Sequence, residues 1–461
     1  MYRRILPILP FLILPLSAQQ TTGSQQNTDS QSVMMQILQR LDALERENHE
    51  LINEVHSLKQ QLDASQAQSA KASSSTGPAS STATVEDRLT VAEHRIAEQA
   101  QTKVEASQKF PISLNGMLLF NGFANSGAPE AENANEYGLL SGPVRAGATV
   151  RQTLLGFDFQ GPALPDGGRI NASFMMDFWG GSANPSAGWP RIRRADISLD
   201  WQNRTFMVGQ DKPLISPYQP DSLAEVGIPP LAGAGNLWVW LPQTRYEERV
   251  HLGTKNGLTA QAALMQTGEN YESVRAPYTS SLEQARPGLE GRLAFWHKFD
   301  EVRRFEIGSG FHTSSSHVAG TSVPSHIASL DWRIVPFSKL SFSGTVYTGQ
   351  NVASLGALGN GFTITSNGTV HPVHSSGGWA QVSVPITNRL TINLFGGLED
   401  DRGGYINPYN IVRNLTYASN LMYHLGPNVV LGLEALQMRT RYFSGITEIH
   451  NHYDVALGYL F

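Results

Sequence analysis

The chain ends in the stretch Tyr453–Phe461, which reads Tyr-Asp-Val-Ala-Leu-Gly-Tyr-Leu-Phe. The odd-numbered positions carry large apolar side chains, whereas the positions between them are mostly small or polar. Alternation with a period of two predicts a β-strand that has one apolar face and one milder face. Because a soluble β-sandwich uses the same alternation, the choice between a sandwich and a membrane barrel depends on the rest of the chain.

The N-terminus predicts export. Arg3 and Arg4 precede the apolar run Ile5–Leu16, and small residues follow up to Ala18, so residues 1–18 have the pattern of a secretory signal peptide. The run is too short to cross a membrane as a helix. We therefore expect a periplasmic protein, a secreted protein or an outer-membrane barrel, and a final strand that ends on an aromatic residue is typical of the barrel.

Composition favours the barrel. The chain has no cysteine, so neither a disulfide nor a lipid anchor on cysteine is expected. Hydrophobic residues make up 40% of the chain and the mean hydropathy is −0.24, which is too polar for a helical membrane protein but suits a barrel with one apolar face. The net charge of −5 gives no indication of nucleic-acid binding.

Residues 32–63 are predicted to form a periplasmic coiled coil. Apolar residues recur there at alternating spacings of three and four, and Asn48, a polar residue in a core position, is expected to fix the register. An amphipathic helix packed on a globular domain is the alternative interpretation. The predicted contact residues between helices are Ile37, Leu41, Leu44, Asn48, Leu51, Val55 and Leu58. Residues 64–84 then predict a flexible linker and residues 85–109 a second helix.

Residues 110–461 predict an all-β transmembrane barrel of sixteen antiparallel strands. The candidate strands are 112–123, 148–160, 169–179, 191–201, 204–210, 244–254, 258–267, 287–299, 303–314, 325–335, 339–349, 376–387, 389–399, 411–425, 428–442 and 447–461. Short connections alternate with mostly long ones, at 124–147, 180–190, 211–243, 268–286, 315–324, 350–375 and 400–410. An even-stranded outer-membrane barrel sorts its turns and loops in this way.

The charged face of these strands is predicted to line a water-filled lumen, because a charge facing lipid at mid-bilayer costs roughly 2–4 kcal/mol. By parity, four arginines point inward: Arg151, Arg194, Arg292 and Arg333. Guanidinium groups bind carboxylates and phosphates, so an anion path is one interpretation. A network of arginines and aspartates that braces the wall is the other.

The longest connection, 211–243, is rich in proline, glycine and large apolar residues. A loop of this composition is poorly suited to solvent, so we expect it to fold into the lumen as a constriction. A contact loop between subunits and an external plug are the alternatives. The sequence has none of the nucleophile, phosphate-loop or zinc-protease motifs, and its histidines lack zinc-like spacing, so no catalytic residue, metal or cofactor is predicted.

Several motifs, in a fixed order, resemble the DcaP-like trimeric outer-membrane porins and, more distantly, the phosphate-selective porins. The motifs are Gly156–Phe159, Met176–Gly181, Arg191–Asp196, Val208–Gln210 and Leu241–Tyr246, followed by the terminal Phe461. The resemblance implies a homotrimer that takes up small anionic solutes such as dicarboxylates, with Arg194, Gln210 and Arg245 at or near the constriction. The chain departs from the family pattern at Asp211 and Lys212, where the family has threonine and tryptophan.

Together these features predict a porin in the bacterial outer membrane, in contact with its lipid, that lets small hydrophilic and possibly anionic solutes diffuse through. It is not expected to be an enzyme. The alternative is a structural tether that uses its coiled coil in the periplasm.

Overall fold

The computed structural model describes residues 112–131, 134–181, 188–267, 286–318 and 321–461. The predicted signal peptide, coiled coil, linker and second helix lie outside these residues. So do all seven predicted contact residues of the coiled coil, Ile37, Leu41, Leu44, Asn48, Leu51, Val55 and Leu58.

The described chain is built almost entirely of β-strands. They are β1 (Ile112–Asn125), β2 (Pro129–Ala131), β3 (Ala134–Gly138), β4 (Ala146–Thr149), β5 (Leu154–Ala163), β6 (Arg169–Gly180), β7 (Trp189–Asp200), β8 (Arg204–Asp211), β9 (Leu241–His251), β10 (Asn256–Thr267), β11 (Arg286–Lys298), β12 (Arg304–Val318), β13 (Thr321–Phe337), β14 (Leu340–Gln350), β15 (Phe362–Ile364), β16 (Val370–Pro372), β17 (His374–Pro385), β18 (Leu390–Arg402), β19 (Ile411–His424), β20 (Val429–Tyr442) and β21 (Thr447–Leu460). Two short 3-10 turns, Pro165–Gly167 and Ala353–Leu355, are the helical elements of this part of the chain, and it contains no helix long and apolar enough to cross a membrane.

The strands form one closed antiparallel barrel. Successive strands pair with each other, and β1 also pairs with β21, which joins the two edges of the sheet. The segments β4 and β5 pair with successive parts of β1 and together act as one strand, so the barrel has sixteen strands. This confirms the predicted fold class for the described residues. The hairpins β2–β3 and β15–β16 lie in loops and are additional to the barrel.

The alternation seen in the sequence separates two faces of the wall. On β21, Tyr453 and Val455 are 55% and 50% exposed, whereas His452 and Asp454, which alternate with them, are 0% and 3% exposed. The same pattern of exposed apolar and buried polar residues recurs on β18 to β20. In a closed barrel the exposed face of the wall is the outside and the buried face is the inside. The outside is therefore apolar and the inside polar.

The seam between the first and last strands includes the end of the chain. The β1–β21 register runs from Met117 opposite Leu460 to Asn125 opposite His452. Beyond it, the Gly116 amide donates to the Phe461 carbonyl at 3.0 Å, and the Phe461 amide donates back to the Gly116 carbonyl at 3.2 Å. The terminal aromatic residue is therefore part of the hydrogen-bond ladder that closes the barrel.

One predicted long connection, 315–324, is wrong. Strand β12 continues to Val318 and β13 begins at Thr321, and these two residues pair with each other. The extended hairpin is stabilised by an apolar cluster in which Val318 and Val323 pack on Phe362 of β15. The serine-rich sequence of the hairpin hides this long-range contact.

The wall is broken between β4 and β5. β4 pairs with Asn121–Ala124 and β5 with Ile112–Met117, so the middle of β1 has no backbone partner on this side. The hydroxyl of Thr153 fills the gap: it accepts from the Leu119 amide at 3.1 Å and donates to the Leu119 carbonyl at 3.4 Å. Gln152, which precedes Thr153 in the break, faces inward and is 0% exposed.

Candidate functional site

The connection between β8 and β9, residues 212–240, lies against the inner face of the wall. Near its start, the Leu214 amide donates to Glu290 Oε2 on β11 at 2.6 Å. Further along, the hydroxyl of Ser222 donates to Glu434 Oε2 on β20, also at 2.6 Å. The loop therefore contacts strands that lie far apart around the barrel.

The second half of the loop contacts β17 and β19. Asn414 on β19 donates its side-chain amide to the Gly233 carbonyl at 3.1 Å. Gly235, with φ of +98°, lies so close to Gly378 on β17 that a Cβ would meet the backbone of Gly378 at 2.4 Å. Glycine is required at position 235 for both reasons.

The apolar residues of the loop form clusters with the inner wall. Ile215 and Leu237 are buried against Ile327 and Tyr347 on β13 and β14. Leu231 and Ala234 belong to a second cluster, which includes Trp379 on β17. These contacts account for the apolar composition of the loop, because its large side chains are removed from water.

A cavity of about 290 Å³ remains between the start of the loop and the wall. Its charged lining residues are Asp211, Lys212, Arg245, Glu247, Arg292 and Glu306, and Tyr218 of the loop also faces it. Bases and acids are therefore mixed around one polar cavity, which we call the charged cavity.

Two predicted site residues, Arg245 and Arg292, meet in the charged cavity. Arg245 donates through Nη1 to Asp211 Oδ2 at 3.2 Å. Arg292 is held more tightly: its Nε and Nη2 donate to the two oxygens of Asp331 at 2.9 and 2.6 Å, and Nη2 also donates to Glu306 at 3.0 Å. Both arginines face inward, and both are already bound to carboxylates.

Arg333 faces the loop beside this cavity. It lies on the same face of β13 as Asp331, its side chain is exposed, and its Cζ is 6.0 Å from the centroid of the Tyr218 ring. Among the described residues, no carboxylate lies within ion-pairing distance of Arg333 or of Lys212. Lys212 instead donates to the side-chain oxygen of Gln219.

Arg194 also faces inward, but outside the charged cavity. Its Nε donates to Asp196 Oδ1 at 2.8 Å and to the Ser173 hydroxyl at 2.6 Å. The register between β6 and β7 shifts beside it, so that Arg193 is an extra residue in β7. This bulge puts Arg193 on the buried face as well, next to Asp177 at 3.6 Å.

Two predicted site residues lie elsewhere. Arg151 is at the wall break, where Nη2 donates to the Trp179 carbonyl at 3.2 Å and Cζ lies 4.7 Å from the centroid of the Trp179 ring. Gln210 pairs with Ala195 on the outer face, and its side chain donates to the Ile192 carbonyl at 2.9 Å. The structure does not bring either residue into the charged cavity.

Sequence reasoning missed three inward-facing basic residues, Arg191, Arg193 and Lys212. Simple parity along β7 fails at the bulge, so Arg191 and Arg193 were assigned no role. The sequence did mark Lys212 as unusual, because Asp211 and Lys212 are the two positions at which the chain departs from the family pattern. Arg191 binds Asp177 through two hydrogen bonds, of 3.1 and 2.6 Å.

Burial changes the acid–base properties of two loop residues. Burial, together with the positive charge of Arg193, lowers the pKa of Lys212 to about 8. Burial and then the negative charge of Glu306 raise the pKa of Tyr218, so its phenol stays protonated at neutral pH. The charge of Lys212 is therefore sensitive to pH in the range just above neutrality.

The described residues contain no group of three or more histidine, aspartate or glutamate side chains placed to hold a metal ion.

The arrangement of the strands is shared with proteins of known structure. The outer-membrane channel DcaP of Acinetobacter baumannii is similar with a TM-score of 0.65 and 15% identity, over 77% of this chain and 98% of that one. An anion-selective porin from Comamonas acidovorans is similar with a TM-score of 0.54 and 12% identity, over 77% of this chain and all of that one. The chain has a porin-like fold. The resemblance to the DcaP-like porins is thus confirmed at the level of the fold, whereas no family model and no curated protein matches the sequence.

Proposed function

We propose that the protein is an outer-membrane channel through which small hydrophilic solutes diffuse. The observation that carries the proposal is the closed barrel, apolar outside and polar inside, with the charged cavity between its wall and loop 212–240. The porin-like fold supports it. An apolar exterior suits lipid, and a polar interior suits a water-filled path.

Planar-bilayer recording of the purified protein tests this function directly. Stepwise, ohmic openings are expected after insertion, because a water-filled path carries ions whenever it is open. A bilayer that stays silent, although the protein is folded and inserted, would contradict the channel function.

Loop 212–240 is proposed to be the constriction. The bonds of Leu214 to Glu290 and of Ser222 to Glu434, together with the apolar clusters, support a fixed position inside the barrel. Deletion of residues 214–235 is therefore expected to increase single-channel conductance. Unchanged conductance in a folded deletion variant would exclude the loop as the narrowest point.

We further propose a mild preference for anions. Arg245 and Arg292 are bound by carboxylate partners, whereas Lys212 and Arg333 have no ion pair among the described residues, so the charges of these two groups, beside Tyr218, remain available to a passing anion. The preference is measured as the reversal potential across a salt gradient. A cation-selective reversal potential would contradict it.

Assembly as a homotrimer is proposed from the heptad pattern of residues 32–63 and from the resemblance to trimeric porins. In the full-length chain, Leu44→Asp combined with Leu51→Asp is expected to weaken the assembly, because charges would enter the core of the coiled coil. The mass of the protein in detergent, measured by light scattering, gives the result. A trimer that survives both substitutions would mean that the barrels alone hold it together.

A further inference from the structure

The break in the wall between β4 and β5 presents one side chain, Gln152, to the loop. Gln152 is 0% exposed and all of its hydrogen-bonding positions are used. Its Oε1 accepts from the amides of Val226 and Gly227, both at 2.6 Å. Its Nε2 donates to the Ala224 carbonyl at 2.6 Å and to Asn121 Oδ1 on β1 at 3.0 Å.

The stretch of loop that Gln152 holds, residues 224–227, depends on side chains for its hydrogen bonds. Among the described residues, no backbone group pairs with Ala224, Val226 or Gly227. From the opposite side, Arg193 Nη1 donates to the Val226 carbonyl at 2.8 Å, and Arg191 Nη2 donates to the Gly227 carbonyl. Within the loop, the Ser222 hydroxyl also accepts from the Ala224 amide at 3.0 Å, so four side chains take the place of a neighbouring strand.

The ring of Trp179 fixes the same stretch by contact. A Cβ on Gly227 would lie 2.6 Å from Cδ2 of Trp179, so the loop backbone packs directly on the indole. Trp179 is held in turn by Arg151, whose guanidinium lies over the ring. The stretch is thereby confined between the wall break and β6, with little room to move unless Gln152 releases it.

We propose that Gln152 is a positioning residue that holds the loop at a set distance from the wall and so sets the width of the channel. The inference rests on the proposed channel function. A regular strand has no need of the break, since an unbroken β4–β5 would pair with the middle of β1. At the break, Gln152 makes all four of its hydrogen bonds inside the wall, three to the loop backbone and one to Asn121, whereas Asn414 on the unbroken β19 bonds to Gly233 of the loop through its amide nitrogen.

Gln152→Met tests the proposal in the full-length protein, because methionine keeps the volume but loses all four hydrogen bonds. Gln437→Met is the matched control: Gln437 lies on the outer face of β20 and bonds to Asn451 at 2.8 Å, away from the loop. Three quantities are measured for each variant. They are single-channel conductance, hydrogen exchange of a peptide that contains Val226 and Gly227, and the heat-dependent shift of the folded barrel in SDS gels.

In Gln152→Met, amide exchange at Val226 and Gly227 is expected to rise by about tenfold or more, since both amides lose a buried acceptor. Conductance is expected to rise and to become noisier, while the barrel keeps its heat-dependent shift. The control is expected to match the wild type in all three. Faster exchange with unchanged conductance would show that Gln152 does not set the width of the channel. Unchanged exchange would show that Gln152 does not hold the loop.

Gln152→Glu provides a second variant in case the methionine variant does not fold. A glutamate keeps the acceptor for both loop amides but cannot donate to Ala224 or Asn121, so exchange at Val226 and Gly227 is expected to stay close to that of the wild type. Exchange as fast as in an unfolded peptide would contradict the proposal. If the wild type conducts no ions at all, the proposed channel function is wrong, whereas the exchange data still test whether Gln152 holds the loop.

Discussion

Replacement of Arg333 by glutamine should reduce the preference of the channel for anions. Arg333 is exposed on the inner face of β13, its Cζ is 6.0 Å from the centroid of the Tyr218 ring, and none of the described carboxylates pairs with it. A solute that passes between the loop and β13 would meet a positive charge that no described carboxylate pairs with directly. Glutamine removes this charge and keeps a polar side chain in its place.

The size of the effect follows from Coulomb's law. At a separation of about 6 Å in a water-filled lumen, one unit charge attracts another by about 0.7 kcal/mol. Screening at 0.1 M salt, where the Debye length is about 10 Å, reduces this to about 0.4 kcal/mol. That energy enriches anions by about twofold and depletes cations by about twofold, so the permeability ratio should fall by about fourfold in the variant.

The assay is the reversal potential across a potassium chloride gradient whose dilute side is 0.1 M. Arg439→Gln is the control, because Arg439 also lies over a tyrosine ring, with its Cζ 5.7 Å from the Tyr417 ring centroid, but on the outer face of β20. At 1 M salt the Debye length is about 3 Å and the difference between Arg333→Gln and the wild type should vanish. An unchanged reversal potential at 0.1 M, or an equal change in the control, would refute the reasoning.

Three further predictions concern stability, closure and pH. Asp331→Asn should lower the free energy of unfolding by about 3 kcal/mol, because the buried Arg292 loses its main carboxylate partner. Urea titration followed by tryptophan fluorescence measures the change, and an unchanged midpoint would mean that Glu306 alone can stabilise the charge of Arg292. Gly116→Val should abolish the heat-dependent gel shift, since a Cβ there would lie 2.4 Å from the Leu154 carbonyl oxygen on β5 and 2.8 Å from the Phe461 ring; a normally folded variant would contradict the close packing of β1 against β5 and the last residue. Raising the pH from 7 to 9 should weaken anion preference, because the pKa of Lys212 is about 8 and its positive charge is lost above that value; in Lys212→Met the reversal potential should not change over this range.

The sixteen strands could be predicted from sequence because each lies between the same two environments. A strand such as β21 needs apolar side chains outside and polar ones inside, and this requirement is local, so it leaves its mark at every second residue. The hairpin that joins β12 and β13 shows what a local sequence pattern cannot predict. Its tip is stabilised by Phe362 of a distant loop, and no local pattern reports that contact.

The candidate site was predicted less well than the strands. Parity assigns alternate residues of a strand to opposite faces, so one inserted residue reverses the assignment of every residue beyond it. The bulge at Arg193 adds one residue to β7, so two consecutive positions, Arg193 and Arg194, both face inward. Gln210 pairs with Ala195 and so lies on the outer face, whereas the family motif had suggested the constriction. Arg292 and Arg333 face the inside of the barrel because their strands are regular up to those residues.

The loop also decides which charges of the wall remain accessible. The chain as a whole is acidic, with a net charge of −5. The loop, however, lies on acidic wall residues: its backbone amide and serine hydroxyl donate to Glu290 and Glu434, which are 0% and 7% exposed. The loop therefore covers these two carboxylates, so a solute in the open part of the barrel cannot contact them. Arg333, in contrast, is exposed and has no ion pair among the described residues, so the proposed preference for anions depends on which wall charges a solute can reach and not on the net charge of the chain.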